Sequence, residues 1–151
     1  MNKKYEMTTI VIHIWGKNLY RIKALKSFDD VKAGDLGGFI ENEDNLSQDG
    51  NAWVYDDAKV FDNAKIYDNA KVFDNVKVFG NDRICDNAMV FSNAMVYDSA
   101  EVYNNANVYD RASIFGNAKV YDNAIVYENA KVFGNAIMNN DGWARGYAEI
   151  Y

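Results

Sequence analysis

Residues 54–83 read VYDDAK VFDNAK IYDNAK VFDNVK VFGNDR, five hexads laid end to end. The register continues unbroken to Ile137, giving fourteen hexads without insertion or deletion. Position 1 is Val or Ile throughout, position 2 is Tyr or Phe in thirteen, position 4 is Asn in eleven and position 5 is Ala in twelve. A period of six is not helical; β-branched and aromatic pairs followed by Asp-Asn or Gly-Asn read as short strands separated by turns. Alternation along each strand points Ala at position 5 and Val at position 1 inward, and positions 6 and 2 outward. Positions 3 and 4 make the corner, with Asn at position 4 expected to take the left-handed conformation. One unit cannot bury its apolar side alone, so it must stack on copies of itself.

The hexad resembles the repeat of the left-handed parallel β-helix found in hexapeptide acyltransferases. It departs from that family at position 2, where Gly is frequent there and an aromatic stands here. The resemblance covers roughly residues 48–137 and implies an all-β, left-handed parallel β-helix of about five to six triangular coils, with residues 18 apart stacked at about 4.8 Å. The leader DVKAGDLGGFIENEDNLSQDGNAWVYDDAKV, residues 30–60, is similar to that of uncharacterised bacterial and phage hexapeptide-repeat proteins. That likeness implies a mobile-element origin and brings no settled activity.

Residues 1–47 read as an N-terminal cap of a β-hairpin and an irregular first coil, and residues 48–151 as the β-helix with a C-terminal closing segment. Thr8–Trp15 and Leu19–Ala24 form the hairpin around a Gly-Lys-Asn turn. Gly37-Gly38 reads as a turn, because no GxxxxGK[ST] or GxGxxG context makes it a phosphate loop. Beyond Ile137 the hexad decays, with Trp143, Tyr147 and Tyr151 expected to close the core, so both ends are expected to be covered against polymerisation. Within the repeat, Val76 and Asp82 break the Ala column. An inward Asp82 is costly unless a bulge exposes it, or Arg83 or backbone amides satisfy it.

The chain has 151 residues, 49% of them hydrophobic and 15% aromatic, with no proline, as a strand-dense ladder requires. The single Cys85 excludes an intrachain disulfide and fits a reducing cytosol. With no long apolar run, the expectation is a cytoplasmic protein without a membrane partner, within the host cell if phage-encoded. Of the net charge of −6, five units reside in residues 48–137, with eight Lys or Arg against thirteen Asp or Glu. No basic patch emerges, so direct nucleic-acid binding is not expected.

Catalysis is not expected either. Enzymes on this prism generally use a histidine base near a cleft, whereas the one histidine, His13, lies in the leader hairpin. A related carbonic-anhydrase type would need several histidines for zinc, which one cannot supply, and neither metal nor cofactor is expected. Cys85 occupies an aromatic slot and reads as a space-filler.

Binding remains. The stacking register places Trp53, Tyr55, Lys71, Phe73, Met89, Phe91, Asn107, Tyr109, Ile125, Tyr127 and Trp143 on face one, with one charge among eleven outward positions. Face two carries Lys59, Phe61, Lys77, Phe79, Met95, Tyr97, Ser113, Phe115, Lys131 and Phe133, and face three reads as solvated. Stacked aromatics stabilise any such ladder, but that does not account for Trp53, Met89, Ile125 and Trp143 at position 6 of face one alone. This face is expected to dock on a copy of the chain or on a partner. Corner carboxylates form two rows: Asp56, Asp74, Asp110 and Glu128 after face one, and Asp68, Asp86 and Asp122 after face three. Such rows can imitate a nucleic-acid backbone toward a basic host protein. The expected function is therefore a non-catalytic macromolecule binder, in its sharper form a phage or prophage protein inhibiting a host factor such as a defence nuclease (an anti-CRISPR-like role). The alternatives are a homo-oligomeric scaffold and, third, an acyltransferase-like enzyme.

Overall fold

The structure, a computed structural model, describes residues 2–151. It is an all-β chain built as a parallel β-solenoid of about six turns, consistent with a left-handed β-helix. Its helical content is one 3-10 turn, Glu43–Asn45, and no helix is long and apolar enough to cross a membrane among the described residues.

Each hexad contributes a two-residue strand at positions 6 and 1, and strands 18 residues apart pair in parallel. Met89, for instance, lies between Lys71 below and Asn107 above. Face one is a six-stranded sheet running from Trp53–Val54 to Trp143–Ala144. Face three has five strands, and face two has nine because the cap joins it. Inside, the Val/Ile and Ala columns are fully buried from Ala52 to Val132. The ladder runs one way: position-6 and position-2 amides donate to carbonyls 17 residues later, as Phe73 N–H does to Val90 O at 3.1 Å.

Every position-3 residue from Asp56 to Gly146 has a positive φ, between 55° and 64° for the non-glycine residues. The left-handed residue of the corner is therefore Asp at position 3, not the expected Asn at position 4. The reason is chemical. A left-handed residue costs about 1–2 kcal/mol, and Asp recovers part of it by accepting the N–H of the corner residue one coil above. Asp56 Oδ2 accepts from Asp74 N–H at 3.1 Å, Asp110 Oδ2 from Glu128 N–H at 3.0 Å and Asp122 Oδ2 from Asn140 N–H at 2.9 Å.

The cap begins with β1 (Tyr5–Ile14) and β2 (Lys17–Ala24), an antiparallel hairpin. Its turn is the two-residue Trp15-Gly16, φ 48° and 77°, rather than the expected Gly-Lys-Asn. Both values suit the primed turns that match strand twist. Strand β3 (Leu36–Ile40) pairs antiparallel with β2 and parallel with Lys59–Val60, so the irregular first coil starts here. Gly37-Gly38 lies inside β3, not in a turn. A Cβ on Gly37 would meet Val54 O at 2.6 Å, and one on Gly38 would meet Ala58 O at 2.6 Å. The pair is glycine because the first coil presses its backbone onto the next.

The cap also satisfies carbonyls of that first coil, which have no rung beneath them. Lys4 Nζ, fully buried, donates to Ala52 O at 2.7 Å, and Tyr5 Oη to Leu46 O at 2.6 Å. Burial lowers the Lys4 ammonium to about 8, with Lys26 lowering it further and Asp49 opposing. Ion pairs staple the cap in place: Lys3–Glu43 at 2.9 Å, Lys17–Asp62 at 2.7 Å and Arg21–Asp57 at 2.9 Å.

At the other end, strands Ile137–Met138, Trp143–Ala144 and Glu149–Ile150 keep the six-residue spacing. Trp143, Tyr147 and Tyr151 are exposed and do not close the core. Counted in the hexad phase they fall at positions 6, 4 and 2, none of which points inward.

Candidate interaction surface

Face one is laid down by the strands as the spacing predicts, but its lower part is not free. Trp53 is 1% exposed, covered edge-on by Tyr5 at 6.1 Å and Phe28 at 5.4 Å. It belongs to the core, not to an interface. The 28–31 segment of the cap reaches further, with Tyr55 Oη donating to Asp30 Oδ1 at 2.8 Å and Lys71 Nζ pairing with Asp29 at 2.9 Å. Burial, then the Asp30 carboxylate, pushes the Tyr55 phenol well up, and Asp29 raises the Lys71 ammonium. The Lys71 charge of face one is thereby paired from within the molecule.

Above the cap the surface is regular. Phe73, Phe91, Tyr109 and Tyr127 form a stacked column with centroids 4.9, 4.8 and 5.3 Å apart and planes within 13°. Beside it runs the position-6 column of Met89, Asn107 and Ile125, half-buried, and exposed Trp143. Sequence reading missed the upper boundary, Arg145, whose guanidinium lies 4.3 Å from the Trp143 ring centroid. Carrying the hexad phase past Ile137 places Arg145 at position 2 of this face. Asp29 and Asp30 carry no such signal, since only tertiary packing brings them here.

Face two behaves differently. The hairpin folds over its lower rungs, setting Trp15 edge-on to Phe61 at 5.7 Å and to Phe79 at 5.2 Å. Its upper aromatics Tyr97, Phe115, Phe133 and Tyr151 stack on as one column.

Both acidic rows are present at corners. Asp68, Asp86, Asn104, Asp122 and Asn140 line a groove of about 1040 Å³ with the neighbouring Asn69, Asn87, Asn105 and Asn123. Each carboxylate spends one oxygen on the ladder, as Asp74 Oδ2 does on Ser92 N–H and Asp86 Oδ2 on Asn104 N–H. The rows are thus structural parts held in fixed register.

Groups with chemical potential lie scattered. His13 sits exposed on the hairpin, its Nδ1 paired with Asn18 Oδ1. Asp68, Cys85 and Asp86 bring ligand-type atoms within 4.8 Å of one another. Both carboxylates already accept ladder amides, and burial pushes the thiol up, away from the thiolate a soft metal needs. Asp82 is fully buried. Of the three alternatives, no bulge exposes it and Arg83 does not bond it; the backbone satisfies it in part, Ala100 N–H donating to Oδ1 at 3.2 Å, while Oδ2 has no partner among the described residues. Burial raises this carboxyl to about 8, with Asp98 and Asp62 adding to the shift against the backbone hydrogen bonds.

No family model matches the chain. A 42-residue stretch is 45% identical to the "Uncharacterized acetyltransferase YdcK" of Escherichia coli (strain K12). The match takes in 28% of this chain and only 13% of that protein's length.

Proposed function

We propose that this protein is a non-catalytic binding module that docks another protein on face one, through Phe73, Met89, Phe91, Tyr109, Ile125, Tyr127 and Trp143. One observation carries the reading: between the cap and Arg145 the outward positions of this face are aromatic or aliphatic except Asn107, and its one lysine, Lys71, is already paired with Asp29. Aromatic and Met side chains without charge are the composition of an interface core. Introducing Met89→Lys with Ile125→Lys tests it through capture of partners from host lysate. Binding that survives both lysines sinks the reading.

In its sharper form the partner is a basic host protein, such as a nuclease, inhibited by a phage-encoded chain. The register of Asp56, Asp74, Asp110 and Glu128, fixed by ladder hydrogen bonds, supports that form because a rigid carboxylate row needs no ordering on binding. Charge reversal at Asp56, Asp74 and Asp110 then abolishes inhibition, and full retained inhibition excludes it. A second reading, acyl transfer, is favoured by the stretch shared with the acetyltransferase-named protein. An acetyl-donor binding assay separates the two.

A further inference from the structure

We propose that strand β1 is a pairing edge for a second copy of this chain, joined antiparallel about a two-fold axis so that two nine-stranded sheets become one. β1 is the outermost strand of that sheet, with β2 on one side and, among the described residues, no strand on the other. Edge strands are usually blunted by charge, proline or cover. From Met7 to Ile14 the sequence MTTIVIHI has no Asp, Glu, Lys, Arg or Pro. Ile10 is 48% and Val11 40% exposed.

The start of the strand shows what a protected edge looks like here. Gln48 accepts the Tyr5 N–H at 3.2 Å and donates to the Tyr5 carbonyl at 3.2 Å, replacing a neighbouring strand. An irregularity between Met7 and Val11, where Thr8 Oγ1 donates to Arg21 O at 2.8 Å, separates that end from the rest. Beyond it, among the described residues, no side chain covers the edge in this way. Ile14 and Lys17 flank the two-residue turn as a hydrogen-bonded pair, so alternation sends the N–H and C=O groups of Val11 and His13 away from β2.

Charge decides the occupant. Residues 1–27 carry six Lys or Arg and one Glu. Lys17 and Arg21 are committed to solenoid carboxylates, Lys3 to Glu43 of the first coil and Lys4 to buried carbonyls. Neither an acidic nor a basic strand finds its counter-charge along Thr8–Ile14. An identical uncharged strand does match, and with Ile12 near the axis Val11 and His13 exchange backbone hydrogen bonds with their symmetry mates, as an isologous contact requires.

The experiment is sedimentation of the full chain across a dilution series, with Val11→Lys, Val11→Pro and Ile125→Lys, each checked for an unchanged far-ultraviolet spectrum. Wild type and Ile125→Lys should run at twice the 17.1 kDa protomer mass, and both Val11 variants at one. Should Val11→Pro fail to fold, Val11→Lys alone decides. A monomeric wild type overturns the proposal. So does a dimer that survives Val11→Lys, or one lost in Ile125→Lys but kept in Val11→Lys, which would assign self-association to face one.

Discussion

Asp74 Oδ2 accepts the backbone N–H of Ser92 at 2.9 Å, while Asp74 N–H donates to Asp56 Oδ2 one coil below. The corner carboxylates are therefore links in a ladder parallel to the sheet hydrogen bonds, each offsetting the left-handed backbone of its own residue. Replacing Asp74 with Ala leaves the strain and removes the acceptor, and should cost about 0.5–1.5 kcal/mol. Asp74→Asn keeps an acceptor and Asp74→Gly removes the strain, so both should cost less. Urea midpoints of the three variants rank them; an Ala variant as stable as Asn would refute the link.

Asp82 stands where the repeat places Ala, with one carboxyl oxygen unpartnered. Its folded value of about 8 lies above the ordinary carboxylate range, so the folded state holds a proton the unfolded chain releases. Stability should then fall as pH rises from about 4 to 8, by about 1.4 kcal/mol per unit where the difference is complete. Asp82→Ala should flatten that dependence and raise stability at pH 8. Urea unfolding at pH 5 and pH 8 reads it directly, and parallel slopes for wild type and variant would contradict it.

Lys4 links β1 to the carbonyl of Ala52 and stacks over Phe28 at 5.1 Å. Lys4→Met keeps the aliphatic stem but leaves buried carbonyls unpaired, costing about 1–3 kcal/mol. Hydrogen exchange should rise first around Leu46 and Ala52. Uniform exchange along the solenoid would show that the cap is not held there.

Gly38→Ala places a methyl 2.6 Å from the Ala58 carbonyl and should be among the most disruptive single-methyl changes in the chain. Gly16→Ala has open space around its side and suffers only its left-handed φ. A thermal melt in which Gly38→Ala matches wild type would rule out the close approach.

How much of this could be read from the hexads depends on the range of the interaction. Face register follows from spacing alone, which is why Met89 stands between Lys71 and Asn107 as expected. Corner handedness does not, because Asp and Asn both tolerate the left-handed region and the deciding hydrogen bond reaches a residue 18 away. Burial of Trp53 depends on Tyr5 and Phe28, cap residues outside the repeat. The C-terminal coil was hidden by composition: MNNDGW lacks the Val-aromatic pair, yet Ala144 still falls inward in phase at 4% exposure.

The most direct test of face one uses two methionines as matched reporters. Met89 and Met95 both occupy position 6 and are both half-buried, but Met89 lies on face one and Met95 on face two. Hydroxyl-radical oxidation of the two, compared between the purified chain at high dilution and the chain inside its producing cell, reads which face is covered. Met89 oxidation should fall several-fold relative to Met95 in the cell. An unchanged ratio, or protection of Met95 instead, would contradict it.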